Sequence, residues 1–393
     1  MKIKYLFLIG LFLGASFLIF SSPVDEVEKN IEKDHSSEKR AIFISYIELG
    51  NYLRGKSSSE GKVVIQQMVD NVSELGFSMI ILQVRTFSDA IYDSTIYPWS
   101  SVISGVEGKN PNYDPLEVFI EYGHKKDLEV HAWINPYRIR TDNDTSDIST
   151  SNPAYSYLGT SHVMVVADGV YYNPASSEVR ELITDGVEEI VKNYDVDGIL
   201  FDDYFYPNSE IDLDEYSLYH SSHPDTSIEE FRLLQVNLLV EMVYDVCQKY
   251  DVLFGISPDG NIENNYQTHY ADVRTWGGVK GYVDYLMPQI YYGFYNEAKA
   301  FVSVLEEWEE VASKVNLMVA LAFYKVGTVD TFAKSGSNEW LSNDDIIMRE
   351  ILLSRNAKHY LGFSLFRYDY LFNQELETAT TSLELKNVKQ VLK

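Results

Sequence analysis

With 393 residues, 45% of them hydrophobic, the chain can fill one large domain or two ordinary ones around a sizeable core. Its 32 basic and 59 acidic side chains leave a net charge of −27, which repels nucleic-acid phosphates and anionic membrane surfaces at long range and speaks against nucleic acid as a partner. The single cysteine, Cys247, excludes an intramolecular disulfide and a cysteine metal cluster and reads as a small buried hydrophobe.

Taken in order, the chain opens with Lys2 and Lys4 ahead of an apolar run from Tyr5 to Phe20, the basic and hydrophobic regions of an export signal. Small residues do not frame a clear cleavage site, so residues 1–22 are expected to be either a signal peptide or an uncleaved membrane anchor. Either places the rest outside the cytoplasm, secreted or held on the outer side of the cytoplasmic membrane. Residues 23–39 are charged and lack aromatics, as a polar linker would be.

From Arg40 onward, short apolar runs alternate with segments of helical spacing. Predicted strands cover 41–46, 78–84, 129–134, 198–201, 252–257, 285–289, 316–321 and 362–366, the first closing at Ile47, Glu48 and Leu49. Predicted helices cover 61–75, 116–126, 177–194, 228–250, 298–313 and 343–356, with a helical turn at Trp276 and Val279 and a long excursion between the third strand and the 177–194 helix. Eight strands separated by helices match an α/β fold of the (β/α)8 TIM-barrel type with long strand–helix loops, filling one domain over 40–372. The tail 373–393 is either a last helix or a frayed end.

In such a barrel the active site is built at the C-terminal ends of the strands. The polar residues closing the runs here are Glu48; Gln83 and Arg85; Asn135, Tyr137 and Arg138; Asp202 and Asp203; Asp259; Gln289, Tyr291 and Tyr292; and Arg367. Carboxylates, amides, arginines and aromatic walls suit a carbohydrate, whose cleavage typically needs two acids in one pocket. With 30 tyrosines and 5 tryptophans, the chain has flat surfaces to spare for sugar rings. The eight histidines show no zinc-binding spacing; His131, inside a strand, reads as packing or hydrogen bonding within the barrel. Gly-x-Gly-x-x-Gly, P-loop and Gly-x-Ser-x-Gly patterns are missing, so neither a nucleotide cofactor nor a serine hydrolase mechanism has support, and no metal or cofactor is expected.

The ordered segments RAIFISYIEL (40–49), QVR (83–85), DAIY (89–92), YPWS (97–100), YDPL (113–116), HAWINPYR (131–138), DGILFDDYFYP (197–207), GISP (255–258) and MPQIYY (287–292) resemble the family-10-like glycosyl hydrolases, the DUF187 family, from about Arg40 to Tyr370. The resemblance implies a barrel and a glycosidase acting on bacterial cell-wall or related amino-sugar glycan. The chain departs from that pattern at Asp259, where an apolar or small residue is expected.

Roles follow from these positions. Strand alternation turns only one of two adjacent aspartates inward. By analogy with sugar-cleaving barrels, counting five from Asp197 makes Asp202 the nucleophile or general base, with Asp203 as proton donor or the residue orienting it. Glu48 and Asp259 are reserve acids. The bland readings are that Asp203 caps the next loop and that Glu48 pairs with an arginine. Arg85 and Arg138 could grip a substrate carboxylate such as a muramic lactyl group. Gln83, Asn135 and Gln289 offer amides, and Trp133, Tyr137, Tyr204, Tyr291 and Tyr292 offer stacking surfaces. The chain thus reads as an exported glycoside hydrolase, the competing reading being a barrel that binds glycan without cleaving it or a scaffold of the cell envelope.

Overall fold

The computed structural model describes residues 37–207 and 209–392; the expected export segment and most of the expected linker lie outside the described residues. Eleven strands occur among them: β1 Lys39–Ile44, β2 Met79–Arg85, β3 Glu129–Ile134, β4 Arg138–Arg140, β5 Val163–Val166, β6 Gly169–Tyr172, β7 Gly198–Phe201, β8 Leu253–Ile256, β9 Tyr285–Leu286, β10 Asn316–Leu321 and β11 Tyr360–Leu365. Eight of these are parallel and close a barrel in the order β1-β2-β3-β7-β8-β9-β10-β11. Covered by helices outside and packed within, these strands are buried on both faces. That is why they read as unbroken apolar runs: β2, Met-Ile-Ile-Leu-Gln-Val-Arg, is buried at every position.

Helices fill the crossovers and carry ordinary punctuation. Ser58–Leu75 starts on a Ser57–Glu60 capping box and stops at Gly76, whose φ of 92° only glycine adopts easily. Ile228–Lys249 starts on the same device, Ser227 with Glu230. No helix among the described residues is long and apolar enough to cross a membrane.

The barrel interior is packed in layers. Low in it, His131 Nδ1 meets the Tyr285 hydroxyl at 2.9 Å, both side chains buried. Two glycines make this possible: a methyl group on Gly198 would stand 2.3 Å from His131 Nδ1, and one on Gly255 2.1 Å from the Tyr285 ring. Above them Phe43, Trp133, Leu200, Met287 and Met318 form the plug, with Phe43 edge-on to Trp133 at 5.3 Å. Above this plug, at the C-terminal mouth, further polar residues collect.

Three local departures from the expected elements matter. The first strand ends at Ile44, and Tyr46–Leu53 is a helix, because Ser45 forms a capping box with Glu48. The long excursion holds a three-stranded antiparallel sheet, β4-β6-β5. Finally, the C-terminal end of the expected linker belongs to the fold, and of the two alternatives expected for the tail the structure shows the helix. Glu38 is buried against Arg355, and the helix Ala379–Val391 sends Glu384 to accept hydrogen bonds from the backbone N–H groups of Ile346 (2.8 Å) and Met348 (3.0 Å). Asp345, the residue before the helix Ile346–Ser354, makes no side-chain cap of its own, so Glu384 supplies it from a distant part of the chain.

Candidate active site

At the barrel mouth a cavity of about 360 Å³ is lined by both aspartates that close β7. Asp202 continues the inward phase of Leu200 and is only 3% exposed. Asp203 lies past the strand, where the chain bends away and the pleat no longer dictates direction, so it too faces the cavity. The expectation that alternation admits one aspartate only is therefore corrected.

The two carboxyls are held differently. Asp202 Oδ2 accepts from Trp133 Nε1 (2.9 Å) and Asn135 Nδ2 (3.1 Å), and its Oδ1 accepts from the Tyr204 backbone N–H (3.3 Å). Asp203 Oδ1 accepts from Gln289 Nε2 (3.1 Å). Burial, and next the charge of Asp203, raise the Asp202 pKa to about 7, against the opposing pull of Arg138 and the Trp133 hydrogen bond. Burial likewise raises Asp203. Two such neighbours titrate as a pair. The three N–H donors aimed at Asp202 favour its anionic form, and two buried neighbours that push each other's proton affinities apart are the kind of pair that can divide into one anion and one acid.

Around them stand Gln83, Trp133, Arg138, Tyr204, Gln289 and Tyr291, all lining the cavity. The Arg138 guanidinium lies 5.0 Å from the Phe87 ring and 5.1 Å from the Tyr204 ring, and its buried Nε has no hydrogen-bond partner. Asn135 is buried behind Asp202 and acts on it rather than on the cavity.

Besides Asn135, five expected site residues do not line the cavity. Glu48 is fully buried: Oε2 closes the capping box with the Ser45 N–H (2.9 Å) and Oε1 pairs with Arg367 (2.6 Å), so it fixes the end of β1. Arg85 should share the inward phase of Gln83, but a register shift between them, a β-bulge, turns it outward. Its guanidinium packs 4.6 Å over the Tyr97 ring. Tyr137 is buried, with its hydroxyl unpaired. Tyr292 lies beside Gly260. Asp259 sits behind the cavity, where its carboxylate accepts from the Asn261 N–H (2.7 Å) and Asn264 Nδ2 (2.5 Å).

The sequence profile of the glycosyl hydrolase-like 10 family matches residues 38–338. The chain belongs to this family. It is 33% identical over 389 residues to the glycosyl hydrolase YngK of Bacillus subtilis, spanning 91% of this chain and 73% of that one. To the glycosyl hydrolase DigH of Escherichia coli K12 it is 30% identical over 361 residues, spanning 83% of this chain and 81% of that one. Among solved structures, the glycoside hydrolase domain of PgaB (BpsB) from Bordetella bronchiseptica superposes with a TM-score of 0.53 at 11% identity, covering 88% of this chain and 98% of that domain. That likeness concerns the fold. With the family, the enzymatic reading prevails over the binding one: this member of the glycosyl hydrolase-like 10 family is a glycoside hydrolase whose substrate is a carbohydrate.

The family member's pocket also contains residues that strand-end reading passed over: Phe43, Tyr46, Ser257, Tyr324 and Phe366. Tyr46 and Phe366 directly follow or nearly follow their strands and were within reach of it; Tyr324 comes from a 3₁₀ turn after β10. Among the described residues one group of side chains could converge on a cation, Asp203, Asp259 and His269, with ligand atoms within 4.8 Å of one another. N–H donors of Gln289, Asn261 and Asn264 already point at these carboxylates, so the group is a hydrogen-bonded cluster rather than a ligand set.

Proposed function

We propose that this glycoside hydrolase cleaves amino-sugar glycan of the bacterial cell wall, or a related polymer, outside the cytoplasmic membrane. In this reading Asp203 is the proton donor and the substrate's own 2-acetamido group is the nucleophile. One observation carries it: among the described residues, Asp202 and Asp203 are the cavity's only carboxylates, and they share one strand end. A covalent or water-activating carboxylate would have to stand across the sugar from the acid. The strands across the barrel from β7, namely β11 and β1, lead instead to Phe366, Phe43 and Tyr46. A substrate acetamido oxygen supplies the missing group.

The steps balance as follows. The acetamido carbonyl oxygen attacks the anomeric carbon while Asp203 gives its proton to the leaving glycosidic oxygen and that bond breaks. Anionic Asp202 accepts the acetamido N–H and stabilises the positive charge that develops there. Asp203, now a carboxylate, takes a proton from the incoming water, whose oxygen opens the cyclic intermediate, so configuration is retained. Arg138, which lines the cavity and carries a guanidinium, suits the lactyl carboxylate of muramic acid. The basic and apolar run from Lys2 to Phe20 supports export.

The test is release of reducing ends from peptide-free peptidoglycan strands and from the same strands de-N-acetylated. Native strands should be cut, with the anomeric configuration of the first product retained. Asp203→Asn should lower kcat by about 10²–10⁴-fold at similar KM. Equal rates on de-N-acetylated strands, or inversion, would sink the acetamido mechanism; inactivity on every amino-sugar glycan would sink the substrate.

A further inference from the structure

At the cavity, one amide nitrogen is fully engaged by the protein itself. Gln289 Nε2 has two hydrogens, and both have acceptors: Asp203 Oδ1 at 3.1 Å and the Ser257 carbonyl oxygen at 3.1 Å. A carbonyl oxygen only accepts, so the nitrogen of the amide, not its oxygen, stands between Ser257 and Asp203. We propose that Gln289 is the positioning residue of the pocket acid: its N–H occupies Oδ1 of Asp203, confines the transferable proton to Oδ2 and so selects the oxygen that meets the glycosidic bond.

The backbone beneath this amide is held on both sides. Gln289 follows β9, and parallel bridges join it to Asp259 past the end of β8 and to Ala320 of β10. Its N–H donates to the Pro258 carbonyl (2.9 Å), and its own carbonyl accepts from the Tyr291 N–H (2.8 Å). The chain after β8 comes so close that a methyl group on Gly260 would stand 2.3 Å from the Gln289 carbonyl oxygen. Among the described residues, no other side chain donates to the Asp203 carboxyl. Gln289 is therefore the group that distinguishes its two oxygens.

In the proton transfer, the proton leaves Oδ2 for the glycosidic oxygen, which keeps the electron pair of its breaking bond to the anomeric carbon, and Asp203 is left a carboxylate. A hydrogen bond to a carboxylate is roughly twice as strong as one between neutral groups, so the Gln289 bond tightens as the proton departs. It therefore favours the transition state over the bound substrate. The charges around Asp203 come from several elements: Asp202 and Tyr204 adjoin it, Arg138 faces the pair from β4, Asp259 and His269 stand behind, and Tyr291 follows β9. Burial raises the Asp203 pKa, and His269 and the Gln289 hydrogen bond oppose it.

This inference rests on the glycosidase reading, and its test separates the two. In Gln289→Leu, kcat on amino-sugar glycan should fall by about 10-fold with KM within about 2-fold, and the basic limb of the pH profile should move up by about 0.5 unit or more, because Asp203 loses a donor to its anion. A dinitrophenyl glycoside of a short amino-sugar oligomer needs no proton on its leaving group, so on it the variant should keep kcat within about 3-fold of the parent's. Gln289→Glu preserves the shape of the side chain but brings at most one proton to two acceptors, and it should show the same split between the two substrates. Equal losses on both substrates, or a rise in KM alone, overturn the proposal. Independently of turnover, the Asp203 carboxyl is titrated by ¹³C NMR in the full chain, its signal assigned through Asp203→Asn. An upward shift in Gln289→Leu supports the pairing even in a protein that cleaves no glycoside, a result that overturns the glycosidase reading instead; an unmoved titration overturns the proposal.

Discussion

Trp133→Phe is the most discriminating single change, because it removes one hydrogen bond to Asp202 and little else. The indole N–H lies 2.9 Å from Asp202 Oδ2, and a phenylalanine ring can keep the edge-on contact with Phe43, now at 5.3 Å. A hydrogen bond to a charged group is worth about 1.5–3 kcal/mol, and one pKa unit corresponds to about 1.4 kcal/mol, so its loss should raise an aspartate by roughly 1–2 units. Asn135 at 3.1 Å and the Tyr204 N–H at 3.3 Å still hold the anion, which favours the lower figure. Asp202 should move from about 7 to roughly one unit higher. Since Asp202 acts as the anion, the acidic limb of kcat/KM should shift up by about one unit, with activity near pH 6 down about 10-fold and the loss recovered at high pH. Reducing-end release across pH, with circular dichroism to check the fold, measures this. An unmoved limb in a folded variant would refute Asp202 as the titrating anion, and a loss equal at every pH would assign Trp133 to substrate binding instead.

Three further outcomes are expected. Glu48→Ala strands the partly buried Arg367 guanidinium and opens the Ser45 cap, so the denaturant midpoint should fall by the equivalent of about 3 kcal/mol while the pH profile of the surviving activity keeps its shape; a shifted profile would return Glu48 to the catalytic group. Glu384, raised by burial to about 7 despite its two N–H donors, should contribute stability fully below its unfolded value near 4.5 and lose it as pH rises through about 7, a swing on the order of 3 kcal/mol. Urea titrations of the parent and of Glu384→Gln between these pH values should show a slope in the first and a flatter line in the second; equal slopes would count against it. Arg138→Met should raise KM by about 10-fold on strands bearing lactyl carboxylates and leave it unchanged on a polymer without them, because only the former offers the guanidinium an anion. The same change on both would mean that Arg138 acts through Asp202.

How much of this was legible in the sequence depended on the range of the cause. Barrel strands announce themselves because burial on both faces forces continuous apolar runs, as in Met79–Arg85, and the helices between them because one face must turn inward every 3.6 residues. Those local rules brought Asp202, Asp203, Gln83 and Gln289 to one mouth without any knowledge of contacts. Where a single backbone irregularity intervened, they misled. One bulge reversed Arg85, one serine cap folded Glu48 into a helix, and the bend after Phe201 let both aspartates face the same space.

The remainder was decided by contacts between segments far apart in the chain, for which no local pattern exists. Trp133 and Asn135 favour the Asp202 anion; Glu384 caps a helix that starts 38 residues earlier; Gln289 donates to Asp203 from 86 residues away. By itself, then, the sequence determined the barrel, its open end and the two acids there, because hydrophobic periodicity and strand ends are properties of single segments. Which acid's anion is favoured, and what holds the other, only the tertiary structure decided, because proton affinity follows from the charges and donors that folding gathers around a group.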